Sequence, residues 1–344
     1  MTPIASQRKN TLRFLAMISA VVLSVTALAL LLSYEQFGTY TESSYNLCKG
    51  VDKRLAAAKR ILDPKLVLIG GSGVRRGVNA QMITDVFGVP ALNFGLHAAL
   101  GPAILLHEAK KVLRPGDTAL LLFEYNHYVY DRLTTVAIDY IYGCRKEIFA
   151  AEGLADKLTF LFSVDPVRVV KTLLYTPPDE PCATCPAPDA AVPAHGPIAV
   201  GDVLLSKTIF PPLKRDRVRR MALYRPISIA VDRKGSGPRA IADFAAWARA
   251  HGVTVIASWP NTILFPEYET SKGFQAIEDF YTSLGVPMIG EPEIGLLPLR
   301  YFYDTQYHLN IDGIVLRSHR LVNVLREHTE ILPPGQRAAK PSGG

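Results

Sequence analysis

The clearest feature of the chain is an unbroken apolar run, Phe14–Ser33, whose 20 residues carry no charge. At 1.5 Å per residue such a helix spans the ~30 Å hydrocarbon core of a bilayer. Beyond Leu62 the pattern changes to short apolar strands alternating with amphipathic helices. Lys65–Gly70, Val89–Leu92 and Asp117–Tyr125 read as strands, and Asn79–Phe87 and Pro102–Leu113 as the helices between them. Asp117–Tyr125 is apolar without alternation, as suits a parallel strand covered on both faces. The alternation stops near residue 130 and resumes with the helix Arg239–His251, the strand Val253–Ser258, the helix Ser271–Leu284, the strand Val286–Gly290 and a final helix over 313–328. Between them, seven of the 22 residues of Thr176–Pro197 are proline, which forbids a regular helix or central strand there.

This order predicts an α/β protein: a flavodoxin-like three-layer sandwich with a central parallel sheet of about five strands, preceded by one transmembrane helix. The expected organisation is a cytoplasmic N-terminus and anchor over 1–33, a linker over 34–61, one domain over 62–330 with a Pro-rich insertion at about 130–235, and a flexible tail over 331–344. Arg8, Lys9 and Arg13 precede the apolar run and Glu35 follows it. The positive-inside rule then places the N-terminus in the cytoplasm and the rest outside. A cleaved signal peptide is the rival reading, but its apolar region is normally only ~7–15 residues long.

Composition narrows the field. Hydrophobic residues are 49% and charged residues 20% of the chain, which excludes wholesale disorder. The net charge of +7 comes without a basic–aromatic array, so nucleic acid is not expected as a partner. Four cysteines are too few for a disulfide-built scaffold. Export makes a local disulfide between Cys182 and Cys185, or pairing of these with Cys48 and Cys144, the expectation; three connectivities are open. Zinc would need a second ligand pair, and none has suitable spacing, so neither metal nor cofactor is expected.

In a doubly wound sheet, ligands bind outside the carboxyl ends of the strands. There the chain places Gly70-Gly71-Ser72-Gly73, Asn93–His97, Glu124–His127, Trp259–Asn261 and Tyr303–Asn310. A hydroxyl, an amide, glycine turns, carboxylates and a histidine thus converge on one edge, the inventory of nucleophilic acyl transfer. Arg75, one turn after the serine, and Trp259 are weaker candidates for substrate contacts.

The ordered blocks LIGGSGVRRGVN, NFGLHAALG, LLFEYN and FYDTQYHLNIDG resemble those of the SGNH/GDSL hydrolase superfamily, in particular its membrane-anchored exported branch, similar to alginate O-acetylation proteins. The resemblance covers roughly residues 62–128 and 236–328. It implies Ser72 as nucleophile, His308 as base and Asp304 as its orienting acid. It further implies an oxyanion hole from the Ser72 and Gly95 N–H groups and the Asn126 side chain. Three departures stand out. The usual Gly-Asp-Ser is Gly-Gly-Ser here, the usual Gly-x-Asn-Asp is Glu124-Tyr125-Asn126-His127, and the usual Asp-x-x-His is one residue longer. On a helical turn a spacing of four would still place Asp304 and His308 on one face.

The expected function is therefore an extracytoplasmic serine acyltransferase or esterase acting on a cell-envelope polysaccharide. Its location would be the bacterial inner membrane with the catalytic domain in the periplasm, and a membrane protein could donate the acyl group. The alternative is a catalytically degenerate domain that binds polysaccharide or scaffolds a secretion complex.

Overall fold

The computed structural model describes residues 3–178 and 224–333. The chain divides into two compact units, Met1–Cys48 with Thr135–Ala183, and Lys49–Thr134 with Thr184–Gly344.

The first unit is helical. Helix α1 (Pro3–Tyr34) contains the long apolar run and, from Asn10 onward, is exposed at most positions, with Ser33 buried. Helix α2 (Glu42–Arg60) supplies its first residues to this unit. Helices α6 (Thr135–Cys144), α7 (Lys146–Ala151), α8 (Leu154–Phe162) and α9 (Pro166–Leu174) complete it. A disulfide joins Cys48 to Cys144. The Cys48–Cys144 bond overturns the expected alternative in which these two pair with Cys182 and Cys185; a local Cys182–Cys185 bond lies outside the described residues. Residues 34–61, expected as a linker, are largely the helix α2, along which Cys48, Val51 and Ala58 are buried. Part of the expected insertion therefore forms a unit with the N-terminal segment.

The second unit is α/β. Its strands β1 (Leu66–Gly70), β2 (Ala91–Gly95), β3 (Thr118–Leu121) and β4 (Thr254–Ala257) form a parallel sheet in the order β2-β1-β3-β4. Every residue of β1, β2 and β3 is buried, as apolar strands covered on both faces should be. Leu66, Leu68, Leu120 and Ile256 on one face pack with Ile83 of helix α4 (Ala80–Phe87) and Leu321, Val322 and Leu325 of helix α12 (Ile311–Glu327). Helices α5 (Gly101–Lys110) and α10 (Ser236–Ala250) pack on each other, and against β1 and β4 respectively.

The expected fifth strand is reduced to a bridge. Around Met288 only the Ile289 N–H to Ala257 carbonyl and Ala257 N–H to Pro287 carbonyl bonds form. Pro287 has no N–H to extend the ladder. The sheet is therefore four-stranded, not five-stranded. Beyond it, β5 (Thr262–Ile263) pairs with β6 (Leu296–Leu297), following the helix α11 (Gly273–Ser283).

Candidate functional site

All the residues expected at the site belong to the α/β unit. β1 ends at Gly70, and Ser72 opens the single-turn helix α3 (Ser72–Arg75) with its side chain half-buried. The Glu124 carboxylate, fully buried beyond the end of β3, organises this turn. Its Oε2 accepts from the Gly71 N–H at 3.0 Å and its Oε1 from the Gly73 N–H at 2.7 Å. A Cβ at Gly71 would lie 2.4 Å from Glu124 Oε1 and 2.6 Å from the Ala98 Cα, so only glycine fits. This gives a physical reason for the second glycine of Gly70-Gly71-Ser72: the space a side chain at 71 would need already holds the Glu124 carboxylate. His127 lies behind it, with Nδ1 3.2 Å from Glu124 Oε2 and Nε2 2.9 Å from the Ala98 carbonyl.

The strand β2 supports the same turn. Buried Asn93 donates from Nδ2 to the Val74 and Val78 carbonyls, and its Oδ1 accepts from the Gly95 N–H at 3.0 Å. Gly95 is also a close-approach position, since a Cβ there would meet the Arg75 nitrogen at 2.2 Å. The Gly95 N–H, expected in an oxyanion hole, is therefore engaged by Asn93. Asn126 is exposed in the 3₁₀ turn that follows Glu124.

The histidine arrives on a separate loop. Phe302 and Leu309 form an antiparallel bridge, and the Tyr303 N–H donates to the His308 carbonyl at 2.8 Å. Both bridge residues are buried in an apolar cluster with Ile263, Leu297 and Ile314. Thr305 Oγ1 accepts from the N–H groups of Tyr307 and His308 and tightens the turn. Asp304 Oδ1 lies 2.7 Å from His308 Nδ1. The two side chains meet across a bridged loop, not on one face of a helix.

This loop docks beside the serine turn. The Leu309 N–H donates to the Arg76 carbonyl at 3.2 Å, and the Arg76 guanidinium lies 3.7 Å from Asp304 Oδ2. Asn261 Nδ2 donates to the Tyr307 carbonyl and secures the other side of the loop. His97, at the rim, has its pKa lowered by burial and then by the Arg75 charge, with smaller contributions in the same direction from His308 and Arg76; Glu124 opposes them. Burial and the neighbouring Arg76 likewise lower the Arg75 pKa. The structure thus brings Arg75, Arg76, His97 and His308 into one electrostatic neighbourhood. Among the described residues, Ser72 Oγ makes no hydrogen bond to His308, and His308 Nε2 makes none at all.

Trp259 is a correction. It is fully buried, its Nε1 donates to the Gly290 carbonyl at 2.7 Å, and Phe274 packs edge-on against it. It is a core residue and has no face open to a substrate. Sequence reasoning left Glu124 and Asn93 without roles as well; the signal for both was a buried polar residue at a strand end that needs partners. No family model matches the chain, and no curated protein does.

Proposed function

We propose that the α/β unit is a serine esterase or O-acyltransferase of the SGNH type, held at the outer face of a bacterial inner membrane by α1 and acting on a cell-envelope polysaccharide. The observation that carries this reading is the 2.7 Å Asp304–His308 pair on a loop hydrogen-bonded to the turn that begins at Ser72. The strand order β2-β1-β3-β4, with residues around Met288 bridged beside β4, supports a flavodoxin-like sheet whose carboxyl edge is the place for such chemistry.

In this mechanism Asp304 holds His308 with its proton on Nδ1, leaving Nε2 to accept the Ser72 hydroxyl proton. Ser72 Oγ then bonds to the acyl carbon. Collapse of the tetrahedral adduct expels the donor alkoxide, which takes the proton from Nε2, and leaves Ser72 acylated. A sugar hydroxyl or water next gives its proton to His308 and takes the acyl group, and His308 returns that proton to the departing Ser72 oxygen, restoring the hydroxyl. The first gives transfer and the second hydrolysis. The Ser72 N–H stands at the first position of α3, where a helix offers it no acceptor, and serves the oxyanion. Asn126 is the second donor. Engagement of the Gly95 N–H by Asn93 leaves it a supporting role in bringing β2 against Arg75. Arg75 and Arg76 favour an anionic sugar or acyl donor near the serine.

Labelling with a fluorophosphonate serine probe tests the proposal. Wild-type protein should label and Ser72→Ala should not; an unlabelled wild type sinks it. The second reading, a non-catalytic polysaccharide-binding or scaffolding domain, is favoured by the absence of a Ser72–His308 hydrogen bond and by the occupied Gly95 N–H.

A further inference from the structure

In the helical unit, α8 and α9 carry apolar stripes that face outward. On α8, Leu154, Leu158 and Phe162 recur every four residues, and all three are exposed. On α9, Val167, Val170, Leu173 and Leu174 form a second stripe, with both leucines 81% exposed. Seven large apolar side chains grouped on two neighbouring helices depart from the scattered single residues usual on soluble surfaces. No carboxylate lies between Pro166 and Leu174. The buried Arg168 is turned inward, donating to Asp139 Oδ1, Gln36 Oε1 and the Thr39 carbonyl. That leaves Lys171 as the exposed charge of α9, and a lysine can bury its stem while its ammonium reaches water.

Both helices are tied to the end of the apolar span. α8 packs on α1. Ser33, in the last turn of α1, donates to the Leu161 carbonyl of α8 at 2.6 Å and lies 2.8 Å from the Tyr142 hydroxyl. α9 is bound through Arg168 and Thr172 to Gln36, two residues beyond the span. Around this junction Tyr34, Phe37, Tyr142, Phe149 and Phe160 cluster, and Lys146 stands 4.4 Å over the Tyr34 ring. Aromatic rings with lysine at the end of a 25-residue span, whose most apolar 18-residue window has a mean hydropathy of 2.6, are the composition of a membrane–water boundary.

We propose that α8 and α9 lie in the interfacial layer of the bilayer that α1 crosses, with lipid acyl chains covering their outward stripes. The inference rests on the reading of α1 as a membrane anchor. An apolar face of this kind inserts by its area and needs no anionic lipid.

The test uses the full chain in phosphatidylcholine vesicles, with Leu173→Trp on α9 and, separately, Leu154→Trp on α8. The native Trp247 and Trp259 emission is subtracted as the wild-type background. Lipid with brominated acyl chains should quench the added emission by about half or more, because the apolar face of an interfacial helix sits at the headgroup/acyl boundary, and aqueous acrylamide should leave it almost untouched. Quenching by acrylamide with none by brominated lipid would overturn the proposal, since the stripes would then face water. Quenching by neither would also overturn it, because protein would be the cover. Protein that fails to float with the vesicles overturns the anchor reading along with it. Protein that floats while its added tryptophans ignore the brominated lipid removes the interfacial helices alone.

Discussion

The two edges of the four-stranded sheet each hold a buried carboxylate, and they use it in opposite ways. At the amino edge Asp117 accepts from the Lys65 ammonium at 2.6 Å, the Lys65 N–H at 3.0 Å and the Arg114 N–H at 2.9 Å. Charge meets charge, and the donors around the carboxylate are backbone groups that open β1 and lead into β3. At the carboxyl edge Glu124 spends its oxygens on the Gly71 and Gly73 N–H groups. It shapes the turn but leaves Ser72 Oγ and His308 Nε2 without hydrogen bonds among the described residues. The first edge is closed and structural. The second keeps polar groups unspent at the place where a parallel α/β sheet binds ligands.

The sharpest way to break this contrast is to remove an unspent group. Ser72→Ala or His308→Ala should lower acyl-ester turnover by about 10³-fold or more. The thermal midpoint should hardly move, because neither side chain's polar atom is part of the packed interior. Asp304→Asn should cost less than Ser72→Ala, since it disturbs the imidazole and leaves the nucleophile in place. Equal loss of turnover and of stability in Ser72→Ala would mean that this edge is structural after all.

The amino edge should respond in reverse. Asp117→Asn leaves the Lys65 ammonium, which is 0% exposed, without its counter-charge. Breaking a buried pair from one side costs about 3–5 kcal/mol. Chemical denaturation should show a loss of that order, while probe labelling of the remaining folded protein at low temperature should keep its wild-type rate. A loss below about 0.5 kcal/mol, the range of ordinary surface substitutions, would contradict the structural role.

The two edges were not equally legible in the sequence. Periodicity revealed all four strands of the sheet and the helices packed on them, because buried parallel strands and amphipathic helices carry strong local patterns. Asp304 and His308 were paired by the family resemblance, and the helical face expected from their spacing did not form; the bridge that joins them was not legible, because Phe302 and Leu309 pair through backbone atoms and their apolar character reads only as core. Val286–Gly290 has the composition of a strand, yet a proline and a short length limit it to a bridge. Trp259 illustrates the converse error. Its position beside a strand end suggested a substrate platform, whereas Gly290 and Phe274 enclose it. The helical unit was hidden for another reason: its halves are separated by 96 residues at the Cys48–Cys144 link, and no local pattern reports so distant a pairing.

Glu124 permits a finer test of the carboxyl edge. Glu124→Gln keeps the shape, but its amide has one acceptor oxygen for two N–H donors and turns an NH₂ towards one of them. A buried backbone donor left unpaired costs about 1–3 kcal/mol. Stability should fall by that amount and Ser72 labelling should slow by about tenfold or more, because the turn that aims the hydroxyl loosens. The contrast with Asp117→Asn lies in the labelling rate. If Glu124→Gln lost stability with labelling unchanged, the carboxylate would be a strut only, and the edges would differ less than their geometry suggests.

The smallest effect concerns the charge at the rim. Burial and the neighbouring Arg75 hold the His97 pKa below its ordinary 6.5, with His308 and Arg76 acting in the same direction. For a histidine whose pKa is lowered by folding, the neutral ring is the form the fold favours. The associated stability is complete above about pH 6.5 and is lost as the pH falls through the folded-state value. His97 keeps more than a third of its surface in water even though its ring is partly covered, so this contribution to stability is small, and the titration midpoint is the better readout. An NMR titration should place that midpoint below 6.5, and Arg75→Gln should raise it, because the substitution removes the largest opposing charge while burial remains. The same variant leaves Lys65 and Asp117 untouched and should not shift the denaturation midpoint beyond the surface range. A His97 midpoint that ignored Arg75→Gln would mean that the arginine's charge is screened from the rim. The case for an anionic ligand beside Ser72 would then rest on Arg76 alone, whose guanidinium already faces Asp304 at 3.7 Å.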